Sequence, residues 1–391
     1  MPIQVHADVA ELKEELIAIR RDLHRHPELA FAEHRTAGIV AERLRSLGFK
    51  VQTGVAQTGV VGIIDFGRPG KTLMLRADMD ALPIQEIEGR AYGSTFPGKM
   101  HACGHDGHTS VSLVVASILA KNRSQLKGRL KMVFQPAEEI VAGAKAMLDA
   151  GVMKDPAPDR ILGFHCWPTL EAGKVGVHPG FMWASVDHVR ISIKGVGGHG
   201  GTPHLTVDPV VAGASLILAL ENLLAREVSP FASAALSFGI FRAGTMYNVI
   251  PAEAELQGSA RALDPEVREF LVRRVQEVAT GVASGLRCLA EAEVVRGTPA
   301  VWNDPTVCDS VREAATAAAR ADNVVDPGQA TVGDDMAYFL QQAPGCYFLL
   351  GVGNPQKGIG SPLHSPEFDI DEVALPIAAE TMARAAVQFL S

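Results

Sequence analysis

The 391-residue chain has few of the features that mark several classes of protein. Its cysteines are scattered and odd in number, which argues against a disulfide framework: Cys103, Cys166, Cys288, Cys308 and Cys346. Acidic residues outnumber basic residues by 44 to 36, which argues against nucleic-acid binding. The first residues lack the signature of an export signal, and no apolar run reaches membrane-spanning length. We therefore expect a cytoplasmic enzyme that binds neither nucleic acid nor membrane.

One short stretch, MHACGHDGHTS from Met100 to Ser110, is dense in groups that bind metals. Cys103 and His105 are separated only by Gly104, so they suit a bent loop with both side chains on one side. A thiolate beside an imidazole suits zinc above all, with manganese, cobalt or nickel as alternatives. The competing explanations are surface histidines, a cysteine that acts as a small buried hydrophobe, and a nucleophilic thiol. Distant partners must decide between them.

Further polar groups follow apolar runs that are typical of buried strands. The run at 72–76 is followed by Asp78, and the run at 130–135 is followed by Glu138 and Glu139. The run at 160–164 is followed by His165, and the run at 346–352 leads towards His364. Open α/β sheets carry their chemistry at the carboxyl ends of strands, so this repetition favours one metal site. Adjacent carboxylates outside a helix project to opposite sides, so one of the pair could bind metal while the other accepts a proton from water. The alternative is a solvated acidic pair at a helix start.

The chain length predicts two domains, and the pattern changes near residue 185. Strand and helix signals then follow the β-α-β-β-α-β order of a ferredoxin-like fold, with helices that begin at Asp208-Pro209 and Asp264-Pro265. We predict an inserted α+β satellite domain at 185–296. Residues 1–184 and 297–391 would together form a catalytic α/β domain with an open mixed sheet.

Other polar residues are weaker candidates. In the insertion, the candidates are His199, Asn248 and Arg261. An imidazole can support an oxyanion and a guanidinium can bind a carboxylate, but the residues alone favour a surface loop histidine and a surface arginine. The motif LHRHPE supplies His24, His26 and Glu28, although solvated helix ends are rich in such groups. Asp334 and Asp335 are interpreted as a cap of the following helix, with positioning of a site loop as the alternative.

The order of the motifs resembles the aminoacylase and hippurate hydrolase family, which includes plant indole-acetyl-amino-acid hydrolases and some bacterial carboxypeptidases. The resemblance covers essentially the whole chain through LHRHPE, RADMDALP, MHACGHDGHTS, FQPAEE, FHCWP, GGHGGTPH, NVIPAEAELQGSAR and PLHSPEF. It implies a metallopeptidase-like catalytic domain with two divalent ions per subunit, whether zinc, manganese, cobalt or nickel. The implied ligands are Cys103, His105, Glu139, His165 and His364.

The resemblance also implies the roles of other residues. Glu138 would be the general base and acid, and Asp78 would hold an imidazole or a loop beside the metal. His199 would support the scissile carbonyl, in its own or a neighbouring subunit, while Asn248 and Arg261 would engage the substrate carboxylate. In the wider superfamily a histidine matches Arg76 and a bridging carboxylate matches Cys103, which leaves metal identity and double occupancy open. A homodimer or homotetramer through the satellite domain is expected.

The implied activity is hydrolysis of the amide bond of N-acylated amino acids, such as hippurate or N-acetyl amino acids, by a metal-activated water with a glutamate base. The alternatives are a metallo-carboxypeptidase or dipeptidase with the same site, a thiol hydrolase that uses Cys103 with His105, and a catalytically inactive metal-binding protein. Retention of Glu138 argues against the last of these.

Overall fold

The computed structural model describes residues 3–391. Its helices are α1 (Val5–Arg25), α2 (His34–Ser46), α3 (His105–Lys121), α4 (Gly143–Asp149), α5 (Pro209–Glu227), α6 (Pro265–Gly285), α7 (Pro305–Ala319), α8 (Met336–Leu340) and α9 (Leu375–Leu390). Its strands are β1 (Lys50–Val55), β2 (Gly59–Asp65), β3 (Thr72–Asp78), β4 (Arg129–Gln135), β5 (Arg160–Glu171), β6 (Val175–Gly176), β7 (Gly180–Trp183), β8 (Ser185–Lys194), β9 (Gly198–His199), β10 (Ala234–Ala243), β11 (Val249–Ile250), β12 (Glu253–Ala262), β13 (Leu289–Val295), β14 (Val301–Asn303), β15 (Val324–Val325) and β16 (Gly345–Gly353).

The chain divides into two compact units. Unit 1 comprises the residues up to Gly180 together with Trp302–Gly328 and Asp335–Ser391. Unit 2 comprises Phe181–Val301 and Gln329–Asp334.

An eight-stranded mixed sheet in the order β1-β2-β4-β3-β5-β16-β6-β15 is the centre of unit 1. Its inner strands β4, β3, β5 and β16 are parallel neighbours, so their carboxyl ends share one edge. All seven residues of β3 and all nine of β16 are buried, as expected of parallel strands covered on both faces. Helix α3 is buried from His105 to Ala120 and packs with α1 and α9. The α/β class with an open mixed sheet is therefore confirmed.

Unit 2 contains a four-stranded antiparallel sheet in the order β10-β12-β8-β13. Helices α5 and α6 pack on each other and against this sheet, which gives the β-α-β-β-α-β order of a ferredoxin-like fold. Both helices start where the sequence indicates. The Asp208 carboxylate accepts hydrogen bonds from the amides of Val210 and Val211, and that of Asp264 accepts one from Glu266, with proline at the first helical position in each case.

Two stretches are helices long and apolar enough to cross a membrane by length and composition, Pro209–Glu227 and Glu372–Leu390. The expectation that no apolar run has this length is therefore wrong for these stretches. In the second stretch 61% of the apolar window is buried inside the protein, against 33% in the first. Core helices pass the same test, so these two helices are weak evidence for a membrane span.

Candidate metal centre

The predicted ligands lie at the edge of the sheet where the parallel strands end. Asp78 closes β3, and Glu138 and Glu139 follow the last residue of β4 by three and four positions. His165 differs from the prediction, because β5 continues through it to Glu171 rather than ending at residue 164. His364 lies in the loop after β16, with a left-handed φ of 63°. The parallel order of these strands explains why side chains so distant in sequence meet.

The MHACGHDGHTS stretch reverses direction at Gly104, which has a φ of +88°. A Cβ at this position would lie 2.9 Å from Cβ of Cys166, so glycine is required by both conformation and space. Cys103 lies just before this turn, and His105 is the first residue of α3. The expected bent loop therefore applies to Cys103, whereas His105 is already helical.

The five expected ligands and Glu138 form one cluster of donor atoms. In each of three overlapping groups, one donor atom per residue lies within 4.8 Å of the others: Cys103 with His105 and His165, Cys103 with Glu139 and His364, and His105 with Glu138 and Glu139. Cys103 Sγ is 3.4 Å from His165 Nε2. His364 Nε2 is 3.2 Å from Glu139 Oε2. The structure thus brings together every side chain that the sequence proposes as a ligand.

Hydrogen bonds fix which nitrogen of two histidines faces the cluster. His105 Nδ1 lies 2.9 Å from the carbonyl oxygen of Asp80, and His165 Nδ1 lies 2.7 Å from that of Cys166. A carbonyl oxygen only accepts, so both Nδ1 atoms carry a proton, and in the neutral imidazole each Nε2 atom presents a lone pair to the cluster. This is the usual arrangement of metal-binding imidazoles.

Two buried polar atoms in the cluster, His105 Nε2 and Glu139 Oε1, have no hydrogen-bond partner among residues 3–391. They lie 3.8 Å apart. Buried polar atoms are normally satisfied, and atoms left without a partner beside a thiol and further imidazoles suit a cation. The donor set therefore fits divalent metal ions.

Without a bound cation, the electrostatic environment favours the protonated forms of Cys103 and His105. Burial raises the pKa of the Cys103 thiol well above its ordinary value, and the nearby Glu139 carboxylate raises it further. Burial and the neighbouring His108 hold the pKa of His165 well below its ordinary value, so its imidazole is neutral. Burial lowers the pKa of His105, but the Asp78 carboxylate and a hydrogen bond to Asp80 outweigh it and the net pKa is well above ordinary. A thiolate at Cys103 requires a nearby positive charge.

Asp78 lies beside the cluster, and the imidazole to which it is hydrogen-bonded is that of His108. His108 Nδ1 donates to Asp78 Oδ1 at 2.6 Å, and His108 Nε2 accepts from the amide of Cys166 at 2.9 Å. The other oxygen, Asp78 Oδ2, accepts from Arg76 at 2.7 Å and lies 3.7 Å from His105 Nε2. His108 has no separate role among the predictions from sequence. Its spacing of three from His105 on one helix was the signal available.

Arg76 and Asp335 form a buried ion pair beside Asp78. The Arg76 guanidinium donates to Asp335 Oδ1 at 3.0 Å and to Gln135 Oε1 at 2.8 Å. Asp335 occupies the N-cap position of α8, as interpreted, but its side chain makes no capping hydrogen bond there. Its carboxylate instead accepts from Gln135 and from the amide of Ala144, since pairing with the buried guanidinium takes priority.

The LHRHPE motif is divided among three different positions. His24 is buried and bridges Asp106 and Glu86, at 2.8 Å and 3.0 Å. His26 lies beside Asp22 at the partly exposed end of α1. Both carboxylate oxygens of Glu28 accept amides at the start of α2. None of the three belongs to the groups of clustered donor atoms found among residues 3–391.

In unit 2 the three expected substrate-binding residues are accessible. His199 lies in β9, and its Nδ1 accepts from the amide of Gly201 at 2.9 Å, which leaves the proton on Nε2. Asn248 is exposed and adjoins β11, which pairs with β9. Arg261 is half-buried and donates to the carbonyl of Thr331 at 2.7 Å. An Nε2–H at His199 suits donation to a carbonyl oxygen.

Comparison with known proteins shows similarity along the whole chain. The model of peptidase family M20/M25/M40 matches residues 74–388. An N-acyl-L-amino acid amidohydrolase of Geobacillus stearothermophilus is 42% identical over 275 residues, 70% of this chain and 74% of that protein. Thermostable carboxypeptidase 2 of Saccharolobus solfataricus is 37% identical over 386 residues, 98% of this chain and 97% of that protein. The solved structure of the Bacillus subtilis YXEP protein, a dinuclear metal-binding peptidase from the M20 family, has a TM-score of 0.84 and 35% identity, and covers 97% of this chain and 99% of that chain.

Proposed function

The chain belongs to peptidase family M20/M25/M40, and from this premise we propose that it is a metal-dependent hydrolase that cleaves the amide bond of N-acylated amino acids. The products are a carboxylate and a free amino acid. The observation that carries the proposal is the cluster in which Glu138 lies beside five metal-binding side chains at the carboxyl edge of the sheet. A carboxylate next to metal-binding groups is the arrangement that metal-assisted hydrolysis requires.

The residues have distinct roles in this proposal. Cys103, His105, Glu139, His165 and His364 would hold two divalent ions, which when bound supply Lewis-acid activation of the carbonyl and lower the pKa of a water. Glu138 accepts the proton of the attacking water and later returns it to the leaving amine. Asp78 keeps two imidazoles oriented. It is hydrogen-bonded to His108 and lies close to His105.

Substrate recognition is proposed for unit 2, which we interpret as the satellite domain. His199 would donate its Nε2–H to the scissile carbonyl, and Asn248 and Arg261 would bind the carboxylate of the amino acid. A guanidinium binds a carboxylate through two parallel hydrogen bonds. Arg261 is half-buried and burial lowers its pKa, although the group stays charged at any physiological pH.

Hydrolysis of peptides is the second candidate function. The observation that favours it is the 37% identity to a thermostable carboxypeptidase over nearly the whole chain. Both activities use the same donor cluster and differ in the acyl group. A thiol hydrolase is disfavoured, because burial raises the pKa of Cys103 well above its ordinary value and keeps the thiol protonated in the absence of a cation.

We further propose a cytoplasmic enzyme that forms a homodimer or homotetramer through unit 2. Helix α5 exposes Val211 and Leu218, with 53% and 72% of their surface accessible. Their spacing of seven residues places them on one face of the helix. Strand β10 is an edge of the four-stranded sheet, and such edges pair readily with a second copy. An apolar helix face beside an open sheet edge supports self-association.

The direct test is a substrate panel. The protein would be loaded separately with zinc, manganese, cobalt and nickel and incubated with hippurate, N-acetyl amino acids and dipeptides, with release of free amino acid as the readout. We expect turnover of the N-acyl amino acids, and predominant cleavage of dipeptides would select the second candidate. No turnover of any amide with any of the four metals would overturn the proposed function.

The role of Glu138 is tested by substituting it. Glu138→Gln should lower kcat by about 10²- to 10⁴-fold, because proton transfer is lost, while the protein keeps its bound metal. Metal content measured by elemental analysis separates this result from loss of the site. The exposed Glu171→Gln is the control and should retain full activity. A Glu138→Gln enzyme that is metal-loaded and fully active would show that another group is the base.

A further inference from the structure

The turn that carries Glu138 and Glu139 is held by two carboxylates from other parts of unit 1. The amide of Ala137 donates to Glu33 Oε1 at 2.9 Å. The amides of Glu138 and Glu139 donate to Asp80 Oδ1 and Oδ2, both at 3.0 Å. Three consecutive N–H groups therefore point at carboxylate oxygens, and the last two share a single side chain.

The backbone of this turn needs such support. Ala137 has a left-handed φ of 53°, a conformation that non-glycine residues adopt only when their surroundings enforce it. The turn closes with a hydrogen bond from the amide of Val141 to the carbonyl of Glu138 at 2.7 Å. Because the two Asp80 oxygens accept two successive amides, the direction of the backbone at Glu138 and Glu139 depends on where Asp80 lies.

Asp80 also orients a residue on a different element. Its carbonyl oxygen accepts the Nδ1–H of His105, so the face of that imidazole is set by the same residue. Asp80 is itself well fixed, because it is buried and lies two residues after the end of β3. The neighbouring amides of Met79 and Ala81 donate to the carbonyls of Gln135 and Glu28. One rigid residue thus contacts the general base and two ligands of the proposed function.

We propose that Asp80 is a positioning residue for the hydrolytic reaction, and that its carboxylate aligns Glu138 for proton transfer and Glu139 for metal binding at once. This inference rests on the proposed function for the role of Glu138. Its consequence for Glu139 concerns metal binding alone. Loss of one carboxylate oxygen should therefore impair catalysis and metal affinity together.

The test is Asp80→Asn, which keeps the size of the side chain and leaves the backbone bond to His105 in place. An amide offers one acceptor oxygen, and its NH₂ group would face a backbone N–H donor, so the turn must shift. We expect kcat to fall by about 100-fold, since small misplacements of a catalytic group cost this much. We expect Co²⁺ affinity, measured by absorbance titration of the metal-free protein, to fall by about 10- to 100-fold.

Two comparison variants separate positioning from a general loss of structure. Asp159→Asn removes a carboxylate that accepts the amide of Thr72 at 2.7 Å at the other end of β3, and should change neither kcat nor Co²⁺ affinity. Glu138→Gln should lower kcat but retain Co²⁺ affinity. Only Asp80→Asn should lower both. If either kcat or Co²⁺ affinity of Asp80→Asn equals that of the wild-type protein or of the Asp159→Asn control, Asp80 is not the positioning residue.

The outcomes distinguish this inference from the proposed function. If the wild-type protein hydrolyses none of the amides, the proposed function fails, and the Co²⁺ titration still decides whether Asp80 positions Glu139. If Asp80→Asn does not fold, Asp80→Glu takes its place, because it keeps both acceptor oxygens and displaces them by one methylene. The same joint fall in kcat and Co²⁺ affinity is expected, and an unchanged value of either overturns the assignment.

Discussion

At the scale of single residues, Cys103 is the side chain that we expect to set the metal preference of the cluster. Its Sγ lies among the donors of His105, His165, Glu139 and His364. A thiolate is a softer ligand than a carboxylate and favours zinc or cobalt over manganese. It is also more easily oxidised.

A serine at this position tests that reasoning. Cys103→Ser should remove the thiolate-to-metal absorption of the Co²⁺-loaded protein and lower its affinity for Co²⁺, because a neutral hydroxyl replaces an anionic ligand. Absorbance titration measures both effects. The control is Cys288→Ser, at a buried cysteine of unit 2, which should leave the spectrum unchanged. A Cys103→Ser spectrum identical to that of the wild type would exclude Cys103 as a ligand.

Glu86 provides a pH-dependent test of the buried network around His24. Burial raises the pKa of Glu86, but a hydrogen bond to His24, the charge of His24, the amide of Ser94 and Arg90 together lower it to about 2. A carboxyl group with a pKa depressed on folding stabilises the protein above its unfolded pKa, and this stability is lost as the pH falls towards the folded pKa.

Glu86→Gln should therefore be most destabilising above about pH 5, and its effect should shrink as the pH falls towards about 3. The free energy of unfolding of both proteins, measured with urea across this range, gives the difference. Glu88→Gln, at an exposed position of the same loop, should have little effect throughout. A Glu86→Gln penalty that is constant or grows towards low pH would contradict the assignment.

At the scale of elements, local sequence signals predict the strands and helices around the site. They do not predict where each of these elements ends. Apolar runs mark β3, β4 and β16, and aspartate-proline pairs mark the starts of α5 and α6. The length of β5 is not marked, because parallel pairing with β16 extends it beyond His165 to Glu171. The role of Asp335 was also hidden, since it depends on a guanidinium 259 positions away in the chain.

Substitution of glycine by alanine tests how much space the structure leaves around two helical positions, Gly143 and Gly281. A Cβ at Gly143, at the start of α4, would lie 1.6 Å from the carbonyl oxygen of Pro136, so Gly143→Ala must displace the turn that carries Glu138 and Glu139. We expect it to lower the free energy of unfolding by about 1–3 kcal/mol and to weaken Co²⁺ binding. At Gly281 in α6 a Cβ would meet no atom of the described residues within 4 Å, apart from its chain neighbours and the backbone of its own helix.

Gly281→Ala should therefore raise the free energy of unfolding by about 1 kcal/mol through helix propensity, with Co²⁺ binding unchanged. Urea unfolding and Co²⁺ titration measure both variants. Equal effects of the two substitutions would show that the space around the glycine does not matter.

At the scale of the whole molecule, the apolar face of α5 would stay exposed to water in a monomer. In the proposed homodimer or homotetramer a second subunit would cover it. Leu218→Lys places a charge on this face and should shift the protein to a smaller species in sedimentation velocity, because burying a lysine ammonium in an apolar interface is unfavourable. Leu289→Lys is the matched control, since Leu289 is 74% exposed on β13 at the other edge of the sheet. A sedimentation coefficient unchanged by Leu218→Lys would exclude this face as the contact.

The sequence by itself determined the family, the mixed α/β class, the ferredoxin-like order of unit 2 and the identity of the clustered side chains. These follow from local patterns and from motifs whose order is specific to the family. The match to the model of peptidase family M20/M25/M40 confirms the family. The tertiary structure decided how those side chains are held: which nitrogen of His105 faces the cluster, that Asp78 binds His108, and that Asp80 holds the amides of Glu138 and Glu139. Such contacts join residues on different strands and helices, so their geometry exists only once the parallel strands are packed side by side.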